Sequence, residues 1–505
     1  MKKLFTVFTI LFFLVFMIAC NSKTKKVTGE ENPFDECDPE EAQCSEGELC
    51  IYSWKYNGFF CQPACDPESE GPCENDFTCE SVKNETLYGC FPPLSVSGRI
   101  FDFVAEDQDA IEGAHVVGKV IGKSDSPPMV ISDNNGKYTF ILKMTRKADG
   151  TPFTNDAVNI FVSADGYESY PGLIRPSLPV TFEKVSCSVQ GCFVMSAFTD
   201  IGLFPLDTNV AVYRIEGSLS DGYSAGLVVA ECNDPPCPFS YPDENGDFTI
   251  FNVPAGDYTV KVYSKGKNYS TEEVTVIDEN ITGLDLEFLD TPLSTLNGQV
   301  NIVAAGGGKL TSIVMSPVST FITSWEKGVL VPGLRAPDQG IDPNISGAYT
   351  ISGIPDGEYY ILAAFENDFL VRDPDPNIAG TQLVKVKFPG VGDNYDVTIG
   401  NFKITSAVEI VFPGATEPEL VSSNPTFIWK MYPSAQKYDI TVYNSQGIVQ
   451  WEKEVASTGD TGYSVEYDGP PLSGYYQWVV MASKASGPIS MSEDLLGIFF
   501  TSMQY

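Results

Sequence analysis

The sequence predicts an all-β chain, built of tandem Greek-key β-sandwich domains preceded by a small disulfide-rich module. Three observations carry this expectation. Glycine (44 residues) and proline (35) punctuate short apolar runs along all 505 residues, the rhythm of strands and turns rather than of helices. A strand–turn–strand pattern recurs without a gap: residues 246–260 read Gly-Asp-Phe-Thr-Ile-Phe-Asn-Val-Pro-Ala-Gly-Asp-Tyr-Thr-Val, and residues 347–361 read Gly-Ala-Tyr-Thr-Ile-Ser-Gly-Ile-Pro-Asp-Gly-Glu-Tyr-Tyr-Ile. Eight of the thirteen cysteines fall in two sets of matched spacing near the N-terminus. At 43% apolar and 12% aromatic residues the chain is not a disordered one, and no stretch after the leader has convincing helical periodicity.

Residues 1–19 read as an export signal. Lys2 and Lys3 precede sixteen uncharged residues, Leu4 to Ala19, too short a run for a membrane span of about 20. Cys20 follows Met17-Ile18-Ala19. This stretch resembles the lipobox of bacterial lipoproteins (commonly Leu, then Ala or Ser, then Gly or Ala, then Cys); Met17 and Ile18 depart from it, while Ala19 and Cys20 fit. The resemblance implies cleavage before Cys20 and a thioether-linked diacylglyceryl on its sulfur. Each buried methylene then adds about 0.8 kcal/mol of membrane attachment. The alternative is an ordinary signal peptide with a chance cysteine near its end. Residues 20–36, polar and mixed in charge, read as a tether. Asn21 and Ser22 are not the Asp-type signal for inner-membrane retention, so the expected location is the cell envelope, at the outer membrane where the cell has one, open to surface exposure.

Residues 37–93 hold the cysteine repeat. Cys37, Cys44, Cys50 and Cys61 are followed by Cys65, Cys73, Cys79 and Cys90, with Cys-Asp-Pro-Glu opening both sets. Units this short cannot bury a sufficient core, and bridges replace it. The sets resemble small four-cysteine modules of secreted proteins, EGF-like ones among them. Two bridges within each repeat is the natural assumption, but sequence does not give the pairing. Zinc is the competing reading, disfavoured by the absence of Cys-x2-Cys and of a neighbouring histidine. The aromatic run from Tyr52 to Phe60 reads as the hydrophobic plug of the module in preference to a ligand platform.

Residues 94–208, 209–291 and 292–403 read as three related sandwiches. Each has an opening strand: Val96-Ser97-Gly98-Arg99-Ile100, Ile215-Glu216-Gly217-Ser218-Leu219 and Leu296-Asn297-Gly298-Gln299-Val300. The turn-and-strand pattern follows in each, with Asn135-Gly136-Lys137-Tyr138-Thr139-Phe140 as its shorter form in the first. Together they resemble the carboxypeptidase regulatory-like domain, a prealbumin-type seven-stranded sandwich related to Cna-B-like modules. That resemblance implies spacers, surface adhesin modules or carbohydrate-binding-like folds, without catalysis. The third copy is stretched between Gly298 and Gly347 and has room for a longer loop or extra strands. Cys187 with Cys192, and Cys232 with Cys237, are expected to bridge across hairpins.

Residues 404–505 change pattern. Trp429, the row Tyr438, Ile440 and Val442, then Leu472, Tyr476, Trp478, Val480 and Ala482 together resemble a fibronectin type III domain, which implies a core role for these side chains.

The formal charge of −36 excludes a nucleic-acid-backbone binder. The single histidine, His115, lies on the face opposite Ala114 and Val116 and is expected in solvent; with no second histidine, the familiar zinc sites and catalytic triads lack partners. Gly306-Gly307-Gly308-Lys309-Leu310-Thr311 looks like a phosphate loop, but Leu310 occupies its Ser/Thr position. Asp243, Asn245 and Asp247, or Asp373 and Asp375, could bind calcium weakly, but the full EF-hand loop is missing and turn chemistry explains them better. The expected protein is therefore non-catalytic, with no cofactor and no metal. It is a lipid-anchored envelope stalk for adhesion, scaffolding or display of a protein or glycan ligand. The alternatives are a carbohydrate-binding accessory lipoprotein of a polysaccharide-uptake system, which needs an exposed aromatic row, and an envelope hydrolase.

Overall fold

The computed structural model describes residues 34–501 apart from 42–43, 68, 70–72, 75, 84, 106, 121–128, 153–156, 172–179, 183–184, 189, 195–198, 207–210, 223–225, 303–310, 323–326, 338–344, 346, 366–370, 373–383, 405–406, 416–418, 445–448 and 493–495. The leader, Cys20, most of the tether, the Gly306–Leu310 run and the Asp373/Asp375 pair lie outside the described residues. Those described form an all-β protein. Val318–Thr320 forms a 3-10 turn, and among the described residues no helix is long and apolar enough to cross a membrane.

The cysteine repeat folds as two hairpins, Glu48–Ser53 with Gly58–Pro63 and Thr78–Ser81 with Tyr88–Phe91. The two occupy equivalent registers, Cys50 opposite Cys61 and Cys79 opposite Cys90. Bridges join Cys37 to Cys50, Cys44 to Cys61, Cys65 to Cys79 and Cys73 to Cys90, first to third and second to fourth in both repeats. Leu49 and Ile51 from one hairpin share a buried cluster with Val82 and Phe91 from the other side, so the repeats complete a single small core.

The three sandwiches repeat one topology. The opening strands, Leu94–Asp102, Val212–Leu219 and Ser294–Ile302, each run antiparallel to the strand after the turn (Lys137–Leu142, Asp247–Pro254, Gly347–Ile354). Each also runs parallel to a closing strand (Ile201–Leu203, Ile281–Leu286, Asp396–Thr398). The opposing four-stranded sheets centre on His115–Val120 with Ala157–Ser163, Leu227–Glu231 with Gly256–Tyr263, and Thr311–Pro317 with Gly357–Phe365. The two long sequence matches are thus equivalent strand pairs. The glycines of the opening strands have a common role: Gly98, Gly217 and Gly298 face Tyr138, Phe248 and Tyr349 across the ladder. A Cβ at any of the three would collide with that aromatic side chain, and at Gly98 and Gly217 with a backbone carbonyl as well, so the aromatic fills the space a side chain would take.

In the stretched third copy, the extra length adds the Val318–Thr320 turn and a ribbon of Lys327–Gly328 with Val371–Arg372, while Arg335–Ala336 takes the sheet-edge position that Phe239–Ser240 has in the second copy. The last module packs the sheet Ile410–Phe412, Thr426–Lys430, Gly462–Glu466 against a larger one. The larger sheet runs from Glu419–Val421 through Ile498–Thr501, Gly474–Lys484 and Lys437–Asn444 to Val449–Ala456, with Gly487–Met491 paired to Gly474–Lys484. Phe427, Trp429, Tyr438, Ile440, Val442, Trp478, Val480 and Ala482 fill the space between. Tyr476 is half-buried, and its hydroxyl accepts from the Ser473 amide and donates to the Ser473 carbonyl.

Candidate functional site

The features of this chain that reach beyond one module are its joints, and they begin at a buried ion pair. Glu80, on the second cysteine hairpin, and Arg146, after strand Lys137–Leu142 of the first sandwich, have fully buried side chains. The Arg146 guanidinium donates from Nε to Glu80 Oε2 at 2.6 Å, from Nη2 to Oε1 at 2.8 Å and from Nη1 to the Gly150 carbonyl at 3.0 Å. The Met144 amide donates to Glu80 Oε2 at 2.8 Å. Both charges are therefore saturated, the condition under which burying them is tolerable. Backbone bonds Arg146 N to Ser81 O, Lys83 N to Arg146 O and Tyr52 N to Ala148 O knit the same seam. Gly150, at φ +77°, lies under the Trp54 ring so closely that a Cβ there would collide with it. The aromatic run of the first repeat is thus part plug and part docking surface: Ile51 and Phe60 are buried, while Trp54 reaches the next module.

The second joint corrects the expectation for His115. Its ring does face away from Ala114 and Val116, but not into solvent. It packs edge-on to Phe251 of the second sandwich at 4.8 Å between centroids. Burial first, and the Arg214 charge second, hold its pKa down at about 4, so it is neutral at ordinary pH. Arg214 lies over the same Phe251 ring and bonds Asp165 at 2.8 Å. Asn252, at φ +59°, donates from Nδ2 to the Ala164 and Tyr167 carbonyls and accepts from the Gly166 amide, each at 2.8 Å. Phe161 of the first sandwich meets Tyr241 of the second at 5.4 Å. Periodicity identified the face correctly but could not show that a second module covers it.

At the third joint, Tyr263 of the second sandwich packs edge-on to Tyr359 of the third at 5.4 Å. Burial pushes both phenols above their ordinary range. The Tyr263 hydroxyl donates to Glu231, which also accepts from Ser319 Oγ. The Cys237 amide donates to the Ser319 carbonyl at 2.7 Å, and the Gly266 amide to the Gly353 carbonyl at 2.8 Å. The Cys232–Cys237 bridge therefore holds a loop that contacts the next module. The other small bridge, Cys187–Cys192, spans directly opposed residues of one hairpin. A sequence signal for this joint exists in Leu227-Val228-Val229-Ala230, a continuous apolar run where a half-buried strand would alternate. All four residues are buried. For Glu80 and Arg146 the only hint is scarcity, Arg146 being one of six arginines.

The sulfurs of Cys37, Cys44 and Cys61, and of Cys65, Cys73 and Cys79, cluster closely enough to suggest ligation. All six are consumed in bridges, and a bridged sulfur has no thiolate to give. Asp243 spends its carboxylate on the Asn245 and Asp247 amides of its own turn, and Asp133 does the same for Asn135 and Lys137. Among the described residues, the exposed aromatics Tyr88, Phe193 and Phe288 stand on three different modules rather than forming a row.

No protein-family model and no curated protein matches the chain. Among solved structures it is similar to the Bacillus anthracis TIE protein, at 11% identity and a TM-score of 0.13, covering 62% of this chain and 51% of that one. It is also similar to shaft pilin spaA from Lactobacillus rhamnosus GG, at 10% identity and 0.16, covering 40% and 99%. Two B repeat units of the collagen binding protein of Staphylococcus aureus are similar at 10% identity and 0.16, covering 82% and 100%. The chain spans about half the length of the TIE protein. At these TM-scores the likenesses bear on neither fold nor function; the sheets and joints above stand without them.

Proposed function

We propose that this chain is a non-catalytic, lipid-anchored protein of the cell envelope. On this reading it acts as a stiff modular stalk, holding a C-terminal fibronectin type III-like sandwich away from the membrane for adhesion, scaffolding or ligand display. The observation that carries the reading is the set of three joints, in which residues such as Asn252 and Arg146 bond specifically to the neighbouring module. Flexible spacers need no such bonds, and interfaces of this kind restrain the domain motions otherwise expected. The arrangement of the last module, a three-stranded sheet against a sheet closed by a parallel edge pair Glu419–Val421 with Ile498–Thr501, supports the fibronectin-type assignment of residues 404–505. The lipobox-like Met17-Ile18-Ala19-Cys20 supports anchoring through Cys20, with residues 37–93 nearest the lipid.

Two measurements test the reading. Small-angle scattering on the soluble chain carrying Cys20→Ser should give one elongated particle whose dimensions do not spread between preparations. A compact globule, or the broad profile of loosely strung beads, would count against a stalk. In the native cell, the chain should take up a labelled fatty acid and Cys20→Ser should abolish the label; an unlabelled unaltered chain, or a label that survives Cys20→Ser, would remove the anchor.

A further inference from the structure

The four-stranded sheet of each of the three sandwiches has an apolar outer face. In the first, Val117 and Phe161 point outward and meet the second sandwich through Tyr241. In the second, Leu227, Val229 and Tyr263 point outward and meet the third. The third has the same face, with Val314 opposite Leu362 across the ladder, 1% and 0% exposed. Here the cover comes from the sandwich's own extra length. Phe321 lies tilted over Tyr360 at 4.6 Å, and Leu330 packs against the same cluster. Gly328 passes so close that a Cβ on it would collide with Ser316 Oγ and the Phe321 ring.

We propose that the insertion after Pro317, acting through Phe321, Gly328 and Leu330, is a built-in end cap. It occupies on the third sandwich the sheet face that the first two use to dock their successors, and so ends the docked run. A docking face left bare at the end of a repeat array is a self-association surface, which is why such arrays carry capping elements. With the cap loosened, the occupant of this face is the same face of a second copy, since a two-fold contact needs only one surface to be self-complementary. The two outcomes of the insertion, closure of the run and solubility of its end, follow from one set of contacts.

The test uses the full soluble chain carrying Cys20→Ser. Phe321→Asp places a charge on the buried face and should lift the cap. The expected result is a doubling of the mass seen by sedimentation as concentration rises, with a several-fold gain in binding of an apolar fluorescent dye. Phe321→Ala should move both readouts the same way, more weakly, and decides the matter if the aspartate variant does not fold. Phe193→Asp, on an already exposed position, should leave both unchanged. Monomeric, dye-silent protein from a folded Phe321 variant would overturn the proposal, as would self-association of the Phe193→Asp control.

Discussion

Replacing Glu80 by glutamine tests the joint between the cysteine repeat and the first sandwich. The substitution keeps the shape of the side chain but leaves the Arg146 guanidinium fully buried with no counter-charge. Removing one partner of a buried pair costs about 3–5 kcal/mol. At a factor of ten per ~1.4 kcal/mol, this amounts to roughly two to four powers of ten in the opening equilibrium of the seam. The readout lies in the seam itself: the Arg146 and Lys83 amides bond across it to Ser81 and Arg146 carbonyls, both at 2.8 Å, and their hydrogen exchange reports its opening. Exchange at these two sites should accelerate by that factor in Glu80→Gln and in Arg146→Met, while amides in the last module hold. The paired replacement Glu80→Leu with Arg146→Met should recover most of the loss, because it removes both desolvated charges together. Protection within about threefold of the unaltered protein in Glu80→Gln, or a paired variant as unprotected as the single ones, would refute the reasoning.

Three further outcomes are expected. His115 is neutral when folded, with its pKa depressed to about 4 from 6.5. Its contribution is therefore complete above pH ~6.5 and is lost as pH falls toward ~4, because the unfolded chain takes up the proton first. A pH series of unfolding should show this extra slope, and His115→Phe should abolish it; the charges acting on the ring are Arg214 and Asp243. Asn252→Gly keeps the positive φ accessible but removes three bonds across the second joint. Calorimetry should then separate the first and second sandwiches by roughly 1–3 kcal/mol, and an unchanged single transition would count against a specific joint. Gly98→Ala and Gly217→Ala each drive a Cβ into a backbone carbonyl, of Thr199 and Leu284 respectively, whereas at Gly298 the Cβ meets only the Tyr349 side chain. Thermal unfolding should therefore rank Gly298→Ala mildest, with the other two costing about 1–3 kcal/mol; the reverse order would refute the packing account.

Much of the fold was legible because strands and turns are local chemistry. The turn at Asp243-Glu244-Asn245-Gly246 is written in residues that bond one another, and the inward row Tyr438, Ile440, Val442 follows from a period of two. The count of cysteines and their repeated spacing called for bridges within each repeat, and bridges within each repeat are what form.

The same local rules stop at the outer face. His115 was assigned to the side away from its own core, and it is there, yet Phe251 of another module makes that side an interior. Glu80 and Arg146 meet across 66 residues of chain, and Asn252 reaches Ala164 across 88. No period in either segment encodes such a meeting. The cysteine spacing, the strand alternation and the turns by themselves determined a bridged, all-β string of modules. Only the tertiary structure decided that three sandwiches and the cysteine repeat dock in sequence, with the insertion after Pro317 covering the last such face. Alternation tells a strand which side chains share a side, but what covers that side is set by surfaces that exist only once each module has folded.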